Sequence, residues 1–395
     1  MKGNSRHDVW IIAAGYLAAI HVGKLAPIIP ILQKQLHISL IQAGFALSLV
    51  QCAGMLFALF LGVFSEKFGL KKCFTLGLVI LGLSSITGVY IINIYSLFIL
   101  RFSEGIGFLL VTLTAPAILK RICDPKVLNV KMGIWGSYMG LGVGLAILSI
   151  PLLLQYMSWQ SIWMFLGVGC LILASIIVRY LKLPMVQQNT VNGDSFAYLL
   201  KITLFHPPII LLAIIFACYT GQWLTVIGFL PSVYLSHHID LRIAGVLTAF
   251  VSISNIVGTL MSGWLLHHGF APKTLLKTGF FIMLLMGWVT FVVAEAVPFP
   301  LQYLSVVIFS AIGGFIPTTV FAISLYYAPK TNAIAASVGL VLQISAFTQF
   351  FIPPLSAKLV SYTHDWNSIV FVTSTLALIG IIAVWKLFKC YPLKY

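Results

Sequence analysis

Three ionisable residues stand in stretches otherwise composed of apolar letters: Lys24, Arg101 and Glu104. A charge in such surroundings costs at least about 2.5–3.5 kcal/mol at the centre of a bilayer, so it faces a partner or a cavity and marks function. Arg101 and Glu104 are i,i+3 neighbours and share a helix face. His21 precedes Lys24 by one turn on the same face, and Pro27 and Pro30 follow as breakers. Burial favours a proton on Glu104 and Arg101 opposes it, so its protonation can be tuned by what binds nearby. Glu104 is therefore a candidate proton carrier, with His21 beside it as a second titratable group. The alternative is a permanent structural ion pair with Arg101 or Lys24. Two fixed cations against one acid leave a positive surplus, which favours an anionic ligand. Lys24 offers the point charge that suits carboxylate or phosphate. At 1.5 Å per residue all three charges lie roughly 10–15 Å inside their helices, in one layer.

The second half of the chain has no such charges. Gln222, next to Trp223, is the candidate that would complete a site from that side. Ser252, Asn255, Thr259 and Ser262 form a polar stripe at helical spacing, as expected of helix–helix hydrogen bonding. Gln343 and Gln349 are about 240° apart on a helix and should not face one cavity together. Gly313-Gly314 with Pro317, and Pro353-Pro354, are expected to interrupt their helices. The pairs His237-His238 and His267-His268 do not share a helix face and have no third ligand near, so no metal site is expected.

The elements that carry these residues follow from composition. Sixty per cent of the residues are hydrophobic and 8% charged, against about 25% charged in a soluble domain. Lipid must be the solvent. About twenty apolar residues cross a bilayer, and twelve such stretches can be counted: about 9–33, 42–65, 72–92, 94–119, 130–156, 160–181, 206–235, 242–266, 274–295, 300–328, 331–356 and 366–388. The chain is thus an all-α membrane protein. The net charge of +15 is no nucleic-acid signal. With the N-terminus inside, basic residues crowd the cytoplasmic segments, and only Lys34, Arg242 and Lys358 fall outside, as the positive-inside rule requires. Both termini are therefore expected in the cytoplasm, and a bacterial inner membrane suits the chain. The six cysteines show no metal or redox spacing. There is no phosphate-binding loop and no catalytic signature, so neither an enzyme nor a cofactor is expected. The polar stretch 184–201 divides two halves, 1–183 and 202–395, of six spans each, and a shift of 201 residues places Gly62 on Gly263 and Lys72 on Lys273.

The loop after the second span reads Gly62-Val-Phe-Ser-Glu66-Lys67-Phe-Gly69-Leu-Lys71-Lys72. It resembles the signature G-x-x-x-D-R-x-G-x-[RK]-[RK] of the major facilitator superfamily, with Glu66 for Asp and Lys67 for Arg. Arg101-Phe-Ser-Glu104-Gly105-Ile-Gly107 resembles the family's R-x-x-Q-G-x-G, with Glu104 for Gln. Gly136, Gly140 and Gly144 are similar to its glycine-rich fifth span, although Leu141 stands where antiporters of the family carry proline. Span eleven looks like that of members grouped with cyanate permease. The resemblance implies twelve helices in two pseudo-symmetric six-helix bundles that rock about a central cavity lined by spans one, four, seven and ten, with the Gly62–Lys72 loop linked to gating. It implies secondary transport. The expectation is a monomeric, proton-coupled carrier of a small organic anion, with Lys24, Arg101, His21 and Gln222 on the substrate and Glu104 on the proton. An exporter of neutral or cationic compounds, and a lipid translocase or non-transporting receptor on the same fold, remain as alternatives.

Overall fold

The computed structural model describes residues 7–38, 40–183, 195–236, 239–292 and 298–392. Most of the dividing stretch 184–201, and the pair His237-His238, lie outside the described residues. Twelve helices among them are long and apolar enough to cross a membrane. These spans are His7–Ile28, Phe45–Phe68, Leu70–Tyr90, Ile94–Ile122, Pro125–Leu153, Trp159–Tyr180, Pro207–Pro231, Ile243–His267, Pro272–Phe291, Phe299–Tyr327, Thr331–Thr363 and Trp366–Cys390, here called spans 1 to 12. No strand occurs among the described residues. Only helices satisfy every backbone group within one segment in lipid.

Several helix ends are dictated locally. Asn93 caps span 4 with a reciprocal capping box: its side chain accepts from Ser96 N–H at 2.9 Å, and Ser96 Oγ lies 3.3 Å from Asn93 N. Such a cap contributes about 1 kcal/mol. Gly69 starts span 3 at φ 111°, a conformation that only glycine adopts without strain. Span 5 breaks at Ser137 and span 10 at Gly314, each giving two stacked helices. The Gly314 break agrees with the sequence. The prolines at 353 and 354 do not interrupt span 11, which runs as one helix from Ile334 to Thr363. Their neighbours in a membrane bundle can take up the freed carbonyls. Between the halves the chain forms a short helix, Phe196–Leu204, that the sequence left as linker. Trp159 and Tyr234, near span ends, are buried rather than set at the surface.

Span 1 packs on spans 4 and 5, and span 3 on spans 4 and 6. Span 7 likewise packs on spans 10 and 11, and also closely on span 12, and span 9 packs on spans 10 and 12. The halves meet along two seams, span 2 with span 11 and span 5 with span 8. A two-fold axis that exchanges the halves turns 2 into 8 and 11 into 5, so each seam is the image of the other. Gly133 of span 5 makes its seam possible: a Cβ there would lie 2.8 Å from Gly263 Cα of span 8. A Cβ on Gly136 would lie 2.4 Å from Thr318 Oγ1 of span 10.

Candidate functional site

The helix of span 1 ends at Gly23, where Pro27 begins to impose a 3-10 turn over Ala26–Ile28. With the α-helix ended there, carbonyls in its last turn have no N–H one turn on and are left for other donors. Arg101 of span 4 supplies them. Its Nη1 donates to His21 O at 3.0 Å, its Nη2 to Val22 O at 3.3 Å, and its Nε to Ala46 O of span 2 at 3.3 Å. One guanidinium therefore ties spans 1, 2 and 4 together, as its rigid fork of five donors permits.

The same Nη1 pairs with Glu104 Oε2 at 2.5 Å. Glu104 Oε1 lies 2.5 Å from Lys24 Nζ, with His21 Nδ1 at 3.6 Å. Lys24 Nζ also donates to Ser85 Oγ of span 3 at 2.7 Å, and Ser85 Oγ in turn donates to Trp163 O of span 6 at 2.7 Å. The ammonium sits 4.3 Å from the Trp163 ring centroid, an added cation–π attraction. His21 Nδ1 lies 3.1 Å from Lys24 Nζ, and its Nε2 is 3.3 Å from Cys170 Sγ of span 6. All four ionisable residues are at most 1% exposed. The layer inferred from sequence depth is a single network: one carboxylate held between two fixed cations, with an imidazole alongside.

Sequence reasoning missed Ser85, Trp163 and Cys170. Nothing in their spacing distinguishes a hydroxyl, an indole or a thiol that serves an ammonium from one that packs. The cluster also lies deeper in the first bundle than a cavity between spans 1, 4, 7 and 10 would put it, because spans 3 and 6 supply two of its walls. Gln222 is not part of it. That residue is buried in the second half, donates to Cys218 O at 2.9 Å, and its Oε1 has no partner. Thr225, 201 residues after Lys24, is likewise fully buried with its hydroxyl unpartnered. Two members of the span 8 stripe make helix–helix hydrogen bonds: Asn255 bonds Tyr219 and Ser310 O, and Ser262 lies against Thr319, while the Ser252 and Thr259 hydroxyls donate to carbonyls of their own helix. His267 and His268 are exposed at the end of span 8, and no metal-holding group occurs among the described residues.

The signature loop lies on the seam. A Cβ on Gly62 would be 2.6 Å from Ala335 O of span 11, so only glycine permits the approach. Glu66 Oε1 accepts from Ala335 N–H at 2.7 Å, at the first turn of that helix, and Arg121 Nη2 reaches its Oε2 at 3.4 Å. A carboxylate at a helix N-terminus is favoured by the helix dipole. Lys71 donates to Val178 O at 2.9 Å, Lys72 lies 5.5 Å over Phe68, and Lys67 is exposed. Further along, Gln343 Nε2 donates to Met55 O at 2.9 Å while its Oε1 accepts from Leu59 N–H at 3.2 Å. Gln51 Nε2 donates to Gln349 Oε1 at 3.0 Å. Gln343 and Gln349 thus both reach span 2, despite their angular separation, by meeting it at different heights. Lys120 of span 4 also donates to Leu325 O of span 10.

Residues 11–348 match the family model of the Major Facilitator Superfamily. The chain belongs to that superfamily. Its members are transporters rather than enzymes, and this chain is a multi-pass secondary transporter. No curated protein sequence matches it. Among solved structures it is similar to the E. coli fucose:proton symporter FucP, with a TM-score of 0.78 at 14% identity over 96% of this chain and 98% of that one. It is also similar to the proton:xylose symporter XylE bound to 6-bromo-6-deoxy-D-glucose, with a TM-score of 0.73 at 14% identity over 98% and 97%. A FucP structure in the outward conformation gives a TM-score of 0.77 at 14% identity over 96% and 98%. At these identities the likeness speaks for the fold.

Proposed function

We propose that this transporter couples the movement of a small organic anion to protons through the Lys24–Arg101–Glu104–His21 cluster. What supports the reading is one observation: Glu104, buried in the membrane, is shared by two cations at 2.5 Å each. When it is charged the set carries one positive charge in excess. A proton taken up by the set adds to that excess. An anion that enters then restores the balance, so proton and anion binding favour each other. Gln222 is the second half's contact, since its Oε1 is a free acceptor for a solute that carries a donor. The basic-residue distribution sets both termini in the cytoplasm of a cell whose inner membrane holds the protein.

The test is ligand-induced thermal stabilisation of the purified protein with mono- and dicarboxylates, phosphates, neutral sugars and cationic drugs. A ligand at a hundred times its dissociation constant stabilises by about 2.7 kcal/mol. Stabilisation by an anion that disappears in folded Lys24→Gln and Arg101→Gln is the expected result. Stabilisation by cations that ignores both variants defeats the reading.

A second reading, a neutral polyhydroxylated solute, draws on a different feature. Gln51, Gln349, Ser345 and Thr220 form an uncharged chain across spans 2, 11 and 7, with links of 3.0, 2.9 and 3.0 Å. Hydroxyls of a sugar could replace those links, and FucP and XylE are named as symporters of sugars. Stabilisation by sugars that is lost in Gln51→Leu and kept in Lys24→Gln would favour it.

A further inference from the structure

Charge counting leaves out where the proton sits on His21, and the geometry decides it. Lys24 as an ammonium has donors only. Its Nζ is 2.5 Å from Glu104 Oε1, 2.7 Å from Ser85 Oγ and 3.1 Å from His21 Nδ1. The lone pair of Nδ1 therefore faces the ammonium. A neutral ring then carries its proton on Nε2, which is directed at Cys170 Sγ, 3.3 Å away. Sulfur is a weak acceptor, but it is the group placed there to receive that N–H.

We infer that His21 Nδ1 is where the transported proton lands, that Cys170 holds the ring in the tautomer that keeps this nitrogen bare, and that the landing releases Lys24 from Glu104 to the solute. The inference rests on the proton-coupled anion reading above and names its proton acceptor and its positioning residue. The titratable and charged groups around the ring are Lys24 from span 1, Arg101 and Glu104 from span 4, and Cys170 from span 6. Span 3 adds only the Ser85 hydroxyl, through Lys24, and span 2 only the Ala46 carbonyl, through Arg101.

A proton on Nδ1 changes three contacts at once. Lys24 loses an acceptor, meets a like charge 3.1 Å away, and competes with the imidazolium for Glu104 Oε1, which Nδ1 already approaches to 3.6 Å. Arg101 cannot be the cation that leaves, because it also holds the end of span 1 through two carbonyls. Lys24 has a flexible stem and a single charge centre, so it moves, and an anion arriving at its Nζ restores the balance. The proton forms one N–H bond on arrival and breaks it on departure, when Lys24 returns. No other bond changes.

The experiment is nitrogen-15 NMR of the full chain in lipid nanodiscs with labelled histidine, the His21 signal being assigned by its loss in His21→Gln. At neutral pH the expected signal has Nε2 protonated and Nδ1 bare, and acidification adds a proton at Nδ1. Cys170→Ala should shift the tautomer ratio several-fold toward Nδ1–H, and Cys170→Ser should restore it. A wild-type ring protonated on Nδ1 at neutral pH, a Cys170→Ala ratio equal to wild type, or a ring that takes no second proton before the protein unfolds would each overturn the proposal. If Cys170→Ala does not fold, the wild-type tautomer and its titration still decide. Proton uptake by proteoliposomes, driven by a panel of carboxylates and phosphates, reads the transport separately. Uptake abolished in His21→Gln supports the landing site, and uptake undiminished there overturns it. Absence of uptake with every anion instead defeats the transport reading, since the tautomer signal needs no solute.

Discussion

What a substitution in a buried charge set costs depends on what it leaves behind. Lys24→Met leaves Glu104 paired with Arg101, one charge of each sign. Glu104→Gln leaves Lys24 and Arg101 with no carboxylate, and breaking a buried pair in this way costs about 3–5 kcal/mol. Glu104→Gln should therefore lower the unfolding midpoint clearly more than Lys24→Met, and adding Lys24→Met to Glu104→Gln should recover part of the loss. Equal effects of the two single changes, measured by thermal unfolding in detergent, would mean that the carboxylate is not shared. The four ionisable members of the cluster were legible in the sequence because an ionisable group in an apolar stretch is conspicuous; helix rise placed Lys24, Arg101 and Glu104 at one depth, and His21 stood one turn from Lys24 on the same face. Ser85, Trp163 and Cys170 were not. Serine, tryptophan and cysteine are ordinary in membrane helices, and only the packing of spans 3 and 6 against span 1 gives them a role.

Glycines act at the scale of the helix pair, and their positions separate folding from movement. Gly258 packs within the second half, where an added Cβ would lie 1.6 Å from Ala311 O, a backbone atom of span 10. Gly62 packs between halves, 2.6 Å from Ala335 O for the same added atom. Gly258→Ala must displace one helix of a bundle from another and should lower yield and thermal midpoint. Gly62→Ala needs only the seam to part. Its stability should stay within about 1 kcal/mol of wild type while cysteine accessibility on span 11 near Ala335 rises. Loss of folding in both variants alike would refute this division. Element existence was legible from apolar length, and the Gly314 break from its two glycines. The uninterrupted helix through Pro353 and Pro354 was not, because a proline in lipid breaks a helix only when no neighbour accepts the freed carbonyls. The linker helix Phe196–Leu204 escaped for the opposite reason: nine residues are too few for a hydropathy count, and its stability comes from Ser195, whose Oγ accepts from Tyr198 N–H at 3.0 Å, and from Phe196 against Phe60 of span 2.

For the whole molecule, alternating access means that seam contacts must exchange for others at a cost small enough to be reversible. The contacts between spans 2 and 11 run from Glu66 on Ala335 N–H, through Gln343 on Met55 and Leu59, to Gln51 on Gln349. They extend roughly 22 Å along span 2 at 1.5 Å per residue. Each hydrogen bond contributes about 0.5–1.5 kcal/mol net, and those to a charged group more. The seam as a whole is thus a few kcal/mol deep, which is the range in which one ligand can shift a population. Gln343 holds a special place because it meets a donor and an acceptor of span 2 with a single side chain, and Leu at that position keeps its bulk while removing both bonds. Gln343→Leu combined with Glu66→Gln should move the population toward separation of the halves at the end that carries Glu66. Spin labels at Lys126 and Lys273, exposed residues of opposite halves at that end, should report a longer distance component that grows several-fold over wild type, with each single variant intermediate. An unchanged distance distribution in the double variant would place the control of closure outside this seam, in the span 5–span 8 contact built on Gly133 and Gly263, where the same labels and a Gly133→Val substitution would then find it.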